Sequence, residues 1–280
     1  MWSVECPDLD AGETFATCIS RVRNPQMRRR LRSIRLDIEA AADDYIERAE
    51  SGELHKINQV PVIGGVPGTE LVKTYDSRMA KGGQPGRPIY DQIKLLPEND
   101  RCPFCGHRNV STLDHFLPKQ LYPIFAVTPV NLVASCSDCN KAKLEDVPAS
   151  AEGTLIHPYF DDVEDEQWLF ASVARSTPAA LTFYVQEVAE WDDILNARVA
   201  HQFAALGLAR LYSTQAGTEI TNIRHNLRLY YDDGGIEAVR NELQRQWASR
   251  QANNINSWQT ACYEALSQSD WFCDGGFAEI

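Results

Sequence analysis

The sequence reads "RCPFCGHRN" over residues 101–109 and "SCSDCNKAK" over residues 135–143. Each stretch carries one C-x-x-C pair, and two such pairs can bring four thiolates to a single ion. Four sulfur ligands complete the tetrahedron of a zinc site and leave no open position for a substrate. We therefore expect a structural zinc. Its predicted ligands are Cys102, Cys105, Cys136 and Cys139.

Two disulfides are the alternative for these cysteines, and the expected compartment weighs against them. The N-terminal stretch "MWSVECPDLD" has no basic segment followed by an apolar run, so we expect no signal peptide and a cytoplasmic location. Thiols stay reduced there. A redox C-x-x-C is a weaker alternative, because thioredoxin-type motifs do not come in matched pairs. The other four cysteines lack this spacing and are interpreted as ordinary thiols.

Between the two pairs, the stretch "TLDHFLPKQL" at residues 112–121 resembles a strand that stops at an acid and a histidine. Its first two residues are extended in character, and Pro118 disfavours helix just before it. Asp114 and His115 therefore fall at a strand end, with side chains on opposite faces. A solvated loop end is the simpler alternative. His157, in "LIHPYFDD", is interpreted as a turn histidine, with a position beside the site as the alternative.

Composition indicates a soluble globular protein. The chain has 280 residues, of which 44% are apolar and 24% charged, enough for one large domain or two ordinary ones. No apolar run approaches the ~20 residues of a membrane span, so we expect no membrane contact. The net charge of −12 is unfavourable for a nucleic-acid binder, although the distribution of charge matters more than its total.

One basic cluster stands out from this acidic background. Residues 21–35 read "RVRNPQMRRRLRSIR", with seven arginines and no acid. Asn24 and Pro25 are a helix start, and apolar residues at spacings of three and four extend the predicted helix to about residue 49. These apolar residues form one stripe along the predicted helix, and three arginines form a line beside it. The line is either a solvated flank of the helix or a ridge that faces phosphates. The three arginines are Arg28, Arg32 and Arg35.

Three regions are predicted along the chain: a helical region with a connector at 1–88, a compact motif domain at 89–150, and a hairpin with helices at 151–280. The segment 61–88 contains "VIGGVPG" and "KGGQPGRP", which predict an irregular connector. The runs "QWLFASVARS" and "AALTFYVQEV" predict a β-hairpin, and apolar stripes from Asp192 onward predict helices. The predicted fold class is α+β, largely helical.

The pattern C-x-x-C … L-D-H-x-x-P-K … N-L-V-x-x-C-x-x-C-N-x-x-K, at about residues 101–143, resembles the HNH endonuclease motif. The resemblance implies the zinc-stapled ββα-metal fold: a strand, a loop, a second strand and a helix. By position, Asp114 matches the metal-binding acid and His115 the general base. Asn131 matches the asparagine that holds the loop and orients the histidine. Asn140 stands where the motif's name has its last His, and its carbonyl suits Mg²⁺ or Mn²⁺.

These residue types fit phosphodiester hydrolysis. A neutral imidazole can accept the proton of the attacking water, an effect worth ~10²–10⁴-fold. A hard cation can neutralise charge on the phosphate and on the leaving oxygen. Lys119 and Lys143 lie nearby in sequence, either in contact with phosphate or as solvated lysines.

The resulting prediction is a metal-dependent endonuclease, with DNA as the favoured substrate. The alternatives are a zinc-ribbon binding module without catalysis, and a regulated toxin or defence subunit that needs a partner. The wider chain resembles full-length bacterial HNH proteins in four stretches, "GRPIYDQIKLLPENDRCPFCG", "LDHFLPK", "HPYFDD" and "WQTACYEALSQSDWFCDGGF". Some of those proteins act in phage defence beside an ATPase, as in Septu-type systems. That resemblance implies an antiviral role and an ATPase partner, although no residue requires one.

Overall fold

The computed structural model describes residues 2–143 and 148–278, which form two compact units. The first unit is Trp2–Asp162, and the second begins at Val163. Both combine helices with short antiparallel hairpins, which confirms the α+β class. The finer division at residues 88 and 150 stays a prediction.

The described part of the first unit has six α-helices, five of which contribute residues to its hydrophobic core. The six helices are α1 (Ala11–Ile19), α2 (Pro25–Ser33), α3 (Arg35–Glu50), α4 (Gly68–Arg78), α5 (Arg87–Lys94) and α6 (Ser137–Lys143). Asn24 caps α2 as predicted, since its side chain accepts hydrogen bonds from the Gln26 and Met27 amides at 2.9 and 3.0 Å. The continuous helix predicted to residue 49 is wrong, because the helix is interrupted at Ile34.

The interruption has a local cause. The Ser33 hydroxyl donates to the Arg30 carbonyl oxygen at 2.9 Å, a bond that competes with the helical backbone and bends helices. The Ile34 amide then bonds to Leu31, three residues back. Leu31 and Ile34 are both buried as a result, at 0% and 1% exposure.

The irregular connector predicted over 61–88 is also wrong. Strands β1 (Val62–Ile63) and β2 (Val66–Pro67) pair across Gly64 and Gly65, whose φ angles of +52° and +75° suit a tight hairpin turn. Helix α4 follows directly and buries Leu71, Val72 and Tyr75. Glycine and proline on both sides of this short apolar stripe obscured it in the sequence.

A β-β-α unit lies against these helices. Strand β3 (Thr112–His115) pairs antiparallel with β4 (Leu132–Ser135), with Thr112 opposite Ser135 and His115 opposite Leu132. Helix α6 begins two residues after β4. Leu113 and Leu132 belong to the same hydrophobic core as residues of α1 to α5, so this core fixes the strand ends.

The second unit contains the predicted hairpin and helices. Strand β5 (Leu169–Ala174) pairs antiparallel with β6 (Ala180–Val185), and three helices follow. They are α7 (Asp193–Ala205), α8 (Leu208–Gln251) and α9 (Trp258–Gln268). Helix α8 is kinked at Gly234 and Gly235, whose backbone angles are not helical. In the described ranges, no helix has the length and apolar character needed to cross a bilayer.

Candidate metal centre and active site

The four predicted ligand cysteines meet at one point in the first unit. Their Sγ atoms all lie within 4.8 Å of one another, and all four residues are buried. A Zn–S bond of ~2.3 Å in a tetrahedron places sulfurs about 3.8 Å apart, so the cluster suits an ion of that kind. The four thiols are free rather than disulfide-bonded. The cluster could thus hold a structural metal ion such as zinc.

Both cysteine loops have the hydrogen bonds that thiolate ligands need. Cys105 Sγ accepts from the Arg108 amide at 3.5 Å, and Cys136 Sγ accepts from the Cys139 amide at 3.4 Å. Hydrogen bonds from neighbouring thiols, Cys102 first, lower the pKa of Cys105. Arg108 also joins the two loops, through an ion pair with Asp138 at 2.9 Å.

The acid and histidine at the end of β3 are both inside the unit. Asp114 and His115 are only 8% and 7% exposed, so the solvated-loop alternative is wrong. Lys143 Nζ lies 3.2 Å from Asp114 Oδ2, yet that oxygen accepts no well-formed hydrogen bond among the described residues. Burial raises the pKa of Asp114, and the positive charge of Lys143 opposes the shift.

His115 is held in one orientation. Its Nε2 lies 2.9 Å from the Ala126 carbonyl oxygen, which can only accept, so Nε2 carries the proton and Nδ1 keeps its lone pair. The Tyr75 ring packs edge-on against it, with centroids 4.3 Å apart. Burial lowers the pKa of His115 to about 3, with a contribution from Lys119. The imidazole is therefore neutral at pH 7.

Asn131 fastens the loop between the two strands. Its Oδ1 accepts from the Leu117 amide at 2.7 Å, and its Nδ2 donates to the carbonyl oxygens of Leu117 at 3.0 Å and Phe125 at 3.3 Å. Phe125 directly precedes Ala126, the acceptor for His115. The amide of Asn131 thus fixes the backbone that orients the histidine.

Helix α6 supplies three of the predicted site residues, the zinc ligand Cys139 and two residues that follow it. Asn140 is half-buried on the first turn after Cys136, and Lys143 follows three residues later on the same face. Lys143 is 7% exposed, and its Nζ also donates to the His115 carbonyl oxygen. This lysine is therefore part of the buried site rather than a solvated residue.

Lys119 also lies beside the site. Its Nζ forms an ion pair with Asp76 at 2.8 Å and lies 4.4 Å from the centre of the Tyr75 ring. The same Tyr75 contacts His115. Lys119 is thus one aromatic ring away from the histidine and partly exposed.

The three arginines predicted to form a ridge are not equivalent. Arg28 and Arg32 lie on α2, whereas the break at Ile34 places Arg35 on α3. Arg35 is paired with Glu13 and Glu39, both at 2.8 Å. Arg35 is thus already neutralised by protein carboxylates, and the line of three is divided.

Sequence reasoning missed the aromatic residues that surround the site. Tyr75 was missed together with α4, although its spacing of four from Leu71 was a signal. His157 does begin a turn, but it is also buried, and its ring lies 4.1 Å from Phe116. Its Nδ1 accepts from the Tyr159 amide at 3.2 Å, so Nε2 donates to the Tyr45 hydroxyl at 3.1 Å.

Comparison with known proteins finds a similarity to a phage protein. The chain is 32% identical over 228 residues to protein Ea31 of Escherichia phage lambda, across 76% of this chain and 77% of the phage protein. No protein-family model and no solved structure matches it.

Proposed function

The chain belongs to the family of phage lambda protein Ea31, and we propose that it is a metal-dependent endonuclease of the HNH type. It hydrolyses phosphodiester bonds, with DNA as the favoured substrate. The β3–loop–β4–α6 segment, with its cysteine cluster, is then a ββα-metal fold stapled by zinc. The antiviral role and the ATPase partner stay predictions.

The observation that carries this proposal is the orientation of His115. The bond from Nε2 to Ala126 leaves Nδ1 as the only nitrogen that can accept a proton. A neutral imidazole fixed in this way can serve as a general base for water.

Asp114 and Asn140 are the proposed ligands of a hard cation. Among the residues that the structure describes, none donates a well-formed hydrogen bond to the buried Asp114 Oδ2. Amide and carboxylate oxygens are ligands that Mg²⁺ and Mn²⁺ prefer. Such an ion, when bound, neutralises charge on the phosphate and on the leaving oxygen. His115 holds the proton of the attacking water at Nδ1, and Asn131 keeps the ring in place.

A binding module without catalysis is the second candidate, and one observation favours it. Asp114 and His115 are almost fully buried, and Asp114 is already paired with Lys143. In this alternative the acid, the histidine and the lysine stabilise a zinc ribbon that only binds nucleic acid or protein.

A cleavage assay separates the two candidates. Purified protein is incubated with supercoiled plasmid DNA and, separately, with RNA, in Mg²⁺, in Mn²⁺ or without an added divalent cation. The nuclease proposal expects cleavage that depends on the added cation. Folded, zinc-loaded protein that cuts neither substrate under any of these conditions would overturn the proposal and favour the binding module.

A further inference from the structure

A cleft of about 720 Å³ opens in the first unit between the segment before α2 and helix α4. Four cationic side chains line it, and one acid, Glu70, lies among them. The cations are Arg21, Arg23, Lys73 and Arg78. In a chain with a net charge of −12, this is a local excess of positive charge.

The single acid does not balance the four cations. Glu70 is shared between Lys73 at 3.6 Å and Arg78 at 3.9 Å. Bringing four like charges together costs electrostatic energy, which an anionic ligand would offset. The charge pattern therefore points to an anion rather than to a neutral or cationic partner.

Two of the guanidinium groups are anchored. Arg78 is 15% exposed in its side chain and donates to the Thr74 hydroxyl oxygen at 3.1 Å. Arg21 donates to the Gly83 carbonyl oxygen at 3.3 Å. Arg23 and Lys73 are exposed and can move toward a ligand. Anchored guanidinium groups with spare donors recognise phosphate oxygens well.

Helix α4 connects the cleft with the candidate active site. Its Tyr75 contacts His115, while its Lys73 and Arg78 line the cleft. Successive residues are rotated by ~100° around a helix, so Lys73 and Tyr75 point to nearly opposite sides of α4, whose diameter is ~10 Å. The Lys73 side of the cleft and the histidine therefore lie on nearly opposite sides of the same helix.

We propose that this cleft binds the phosphodiester backbone of DNA at a distance from the scissile bond. The inference rests on the proposed function, because it assigns the substrate's flanking phosphates to a second site. It is an alternative to the arginine line predicted from sequence, which stays a prediction. The recognising groups are Arg21, Arg23, Lys73 and Arg78.

The test compares two double variants that each remove two positive charges. Arg23→Gln with Lys73→Gln alters the cleft, and Arg28→Gln with Arg32→Gln alters α2 outside the cleft. Both are made in a His115→Ala background to prevent cleavage. Fluorescence anisotropy with a labelled DNA duplex gives the dissociation constant over a salt series, without added Mg²⁺ or Mn²⁺. Thermal melts confirm that the variants fold.

The cleft variant is expected to bind about tenfold more weakly, and its salt slope should fall by up to ~1.8, or ~0.9 for each lost phosphate contact. The α2 variant should stay close to its background. Equal losses in both variants, a larger loss in the α2 variant, or no DNA binding before either change would each overturn the inference.

Binding and cleavage measured on these proteins and on the wild type distinguish failure of the cleft inference from failure of the nuclease proposal. DNA that binds through the cleft, together with wild-type protein that cuts no plasmid in Mg²⁺ or Mn²⁺, would remove the nuclease proposal and leave the cleft as a DNA-binding site. Cleavage of plasmid by wild-type protein, together with a cleft variant that binds DNA normally, would overturn the cleft inference and leave the nuclease proposal standing.

Discussion

His115 is the residue at which the chemistry can be tested with least disturbance. The substitution His115→Ala removes the proposed proton acceptor but none of the proposed metal ligands. The cleavage rate should therefore fall by ~10²-fold or more, while zinc stays bound. Excess Mn²⁺ should not restore activity, because no cation accepts a proton. For Asp114→Ala, by contrast, excess Mn²⁺ should restore part of the lost cleavage.

The measurement for these variants is a cleavage rate across a Mn²⁺ titration, with circular dichroism to confirm folding. His225→Ala is the matched control, since this histidine is exposed on α8. Cleavage at the wild-type rate by folded His115→Ala would contradict the assigned mechanism.

Lys143 leads to a prediction about stability at the same scale. Its side chain is 6% exposed and that of Asp114 is 10% exposed. Removing one member of a buried ion pair leaves the other charge uncompensated, at a cost of about 3–5 kcal/mol. Lys143→Met should therefore lower the free energy of unfolding by about that amount at pH 7.

The double variant Asp114→Asn with Lys143→Met should recover part of this loss, because no buried charge remains. Urea denaturation of the wild type, of Asp114→Asn, of Lys143→Met and of the double variant gives a double-mutant cycle that measures the coupling of the two charges. Strictly additive losses would show that the two charges are not coupled.

At the scale of elements, we expect the cysteine loops before β3 and after β4 to depend on the metal ion that their four thiols could hold. Cys136→Ser removes one of four ligands, so zinc content should fall from about one ion per chain to a small fraction of that. Because apparent zinc binding can supply ~10–16 kcal/mol, the β-β-α unit should lose much of its order. Cys6→Ser is the control, since Cys6 is exposed and outside the cluster.

Metal analysis after gel filtration measures the zinc content. A full complement of zinc in Cys136→Ser, or an equal loss in Cys6→Ser, would show that the four cysteines are not the site.

The element scale also shows what sequence can and cannot predict. The end of β3 at Asp114 and His115, the cap at Asn24 and the convergence of four cysteines follow from local spacing. The break at Ile34 was missed because the apolar period continues through it, and the hydroxyl of Ser33 that bonds to the Arg30 carbonyl oxygen there is a weak sequence signal.

Tertiary contacts set the rest of the site. Lysine side chains are almost never fully buried, and the sequence left open whether Lys143 contacts phosphate or is solvated. Its buried contact with Asp114 arises only when α6 packs beside β3. The partner of His115 is the carbonyl oxygen of Ala126, and no side-chain pattern marks a backbone acceptor. The orientation of the proposed base therefore could not be read from the sequence.

At the scale of the whole molecule, each compact unit has its own buried core. Phe15, Leu31 and Ile93 belong to the core of the first unit. Trp168, Leu243 and Cys262 are fully buried in the second. All four cysteines of the cluster belong to the first unit. Loss of the metal should therefore lower the local stability mainly of residues 2–162.

Hydrogen exchange measured by mass spectrometry tests this expectation, because amide protection reports opening segment by segment. Cys136→Ser should lose protection in peptides of the first unit, most strongly around β3, β4 and α6, while α8 and α9 keep theirs. Cys262→Ser is the reciprocal variant: it places a hydroxyl at a position with 0% exposure on α9, so the loss should appear in the second unit. If Cys136→Ser reduced protection equally across both units, the two cores would unfold as one, and the cluster would stabilise the whole chain rather than the proposed active site alone.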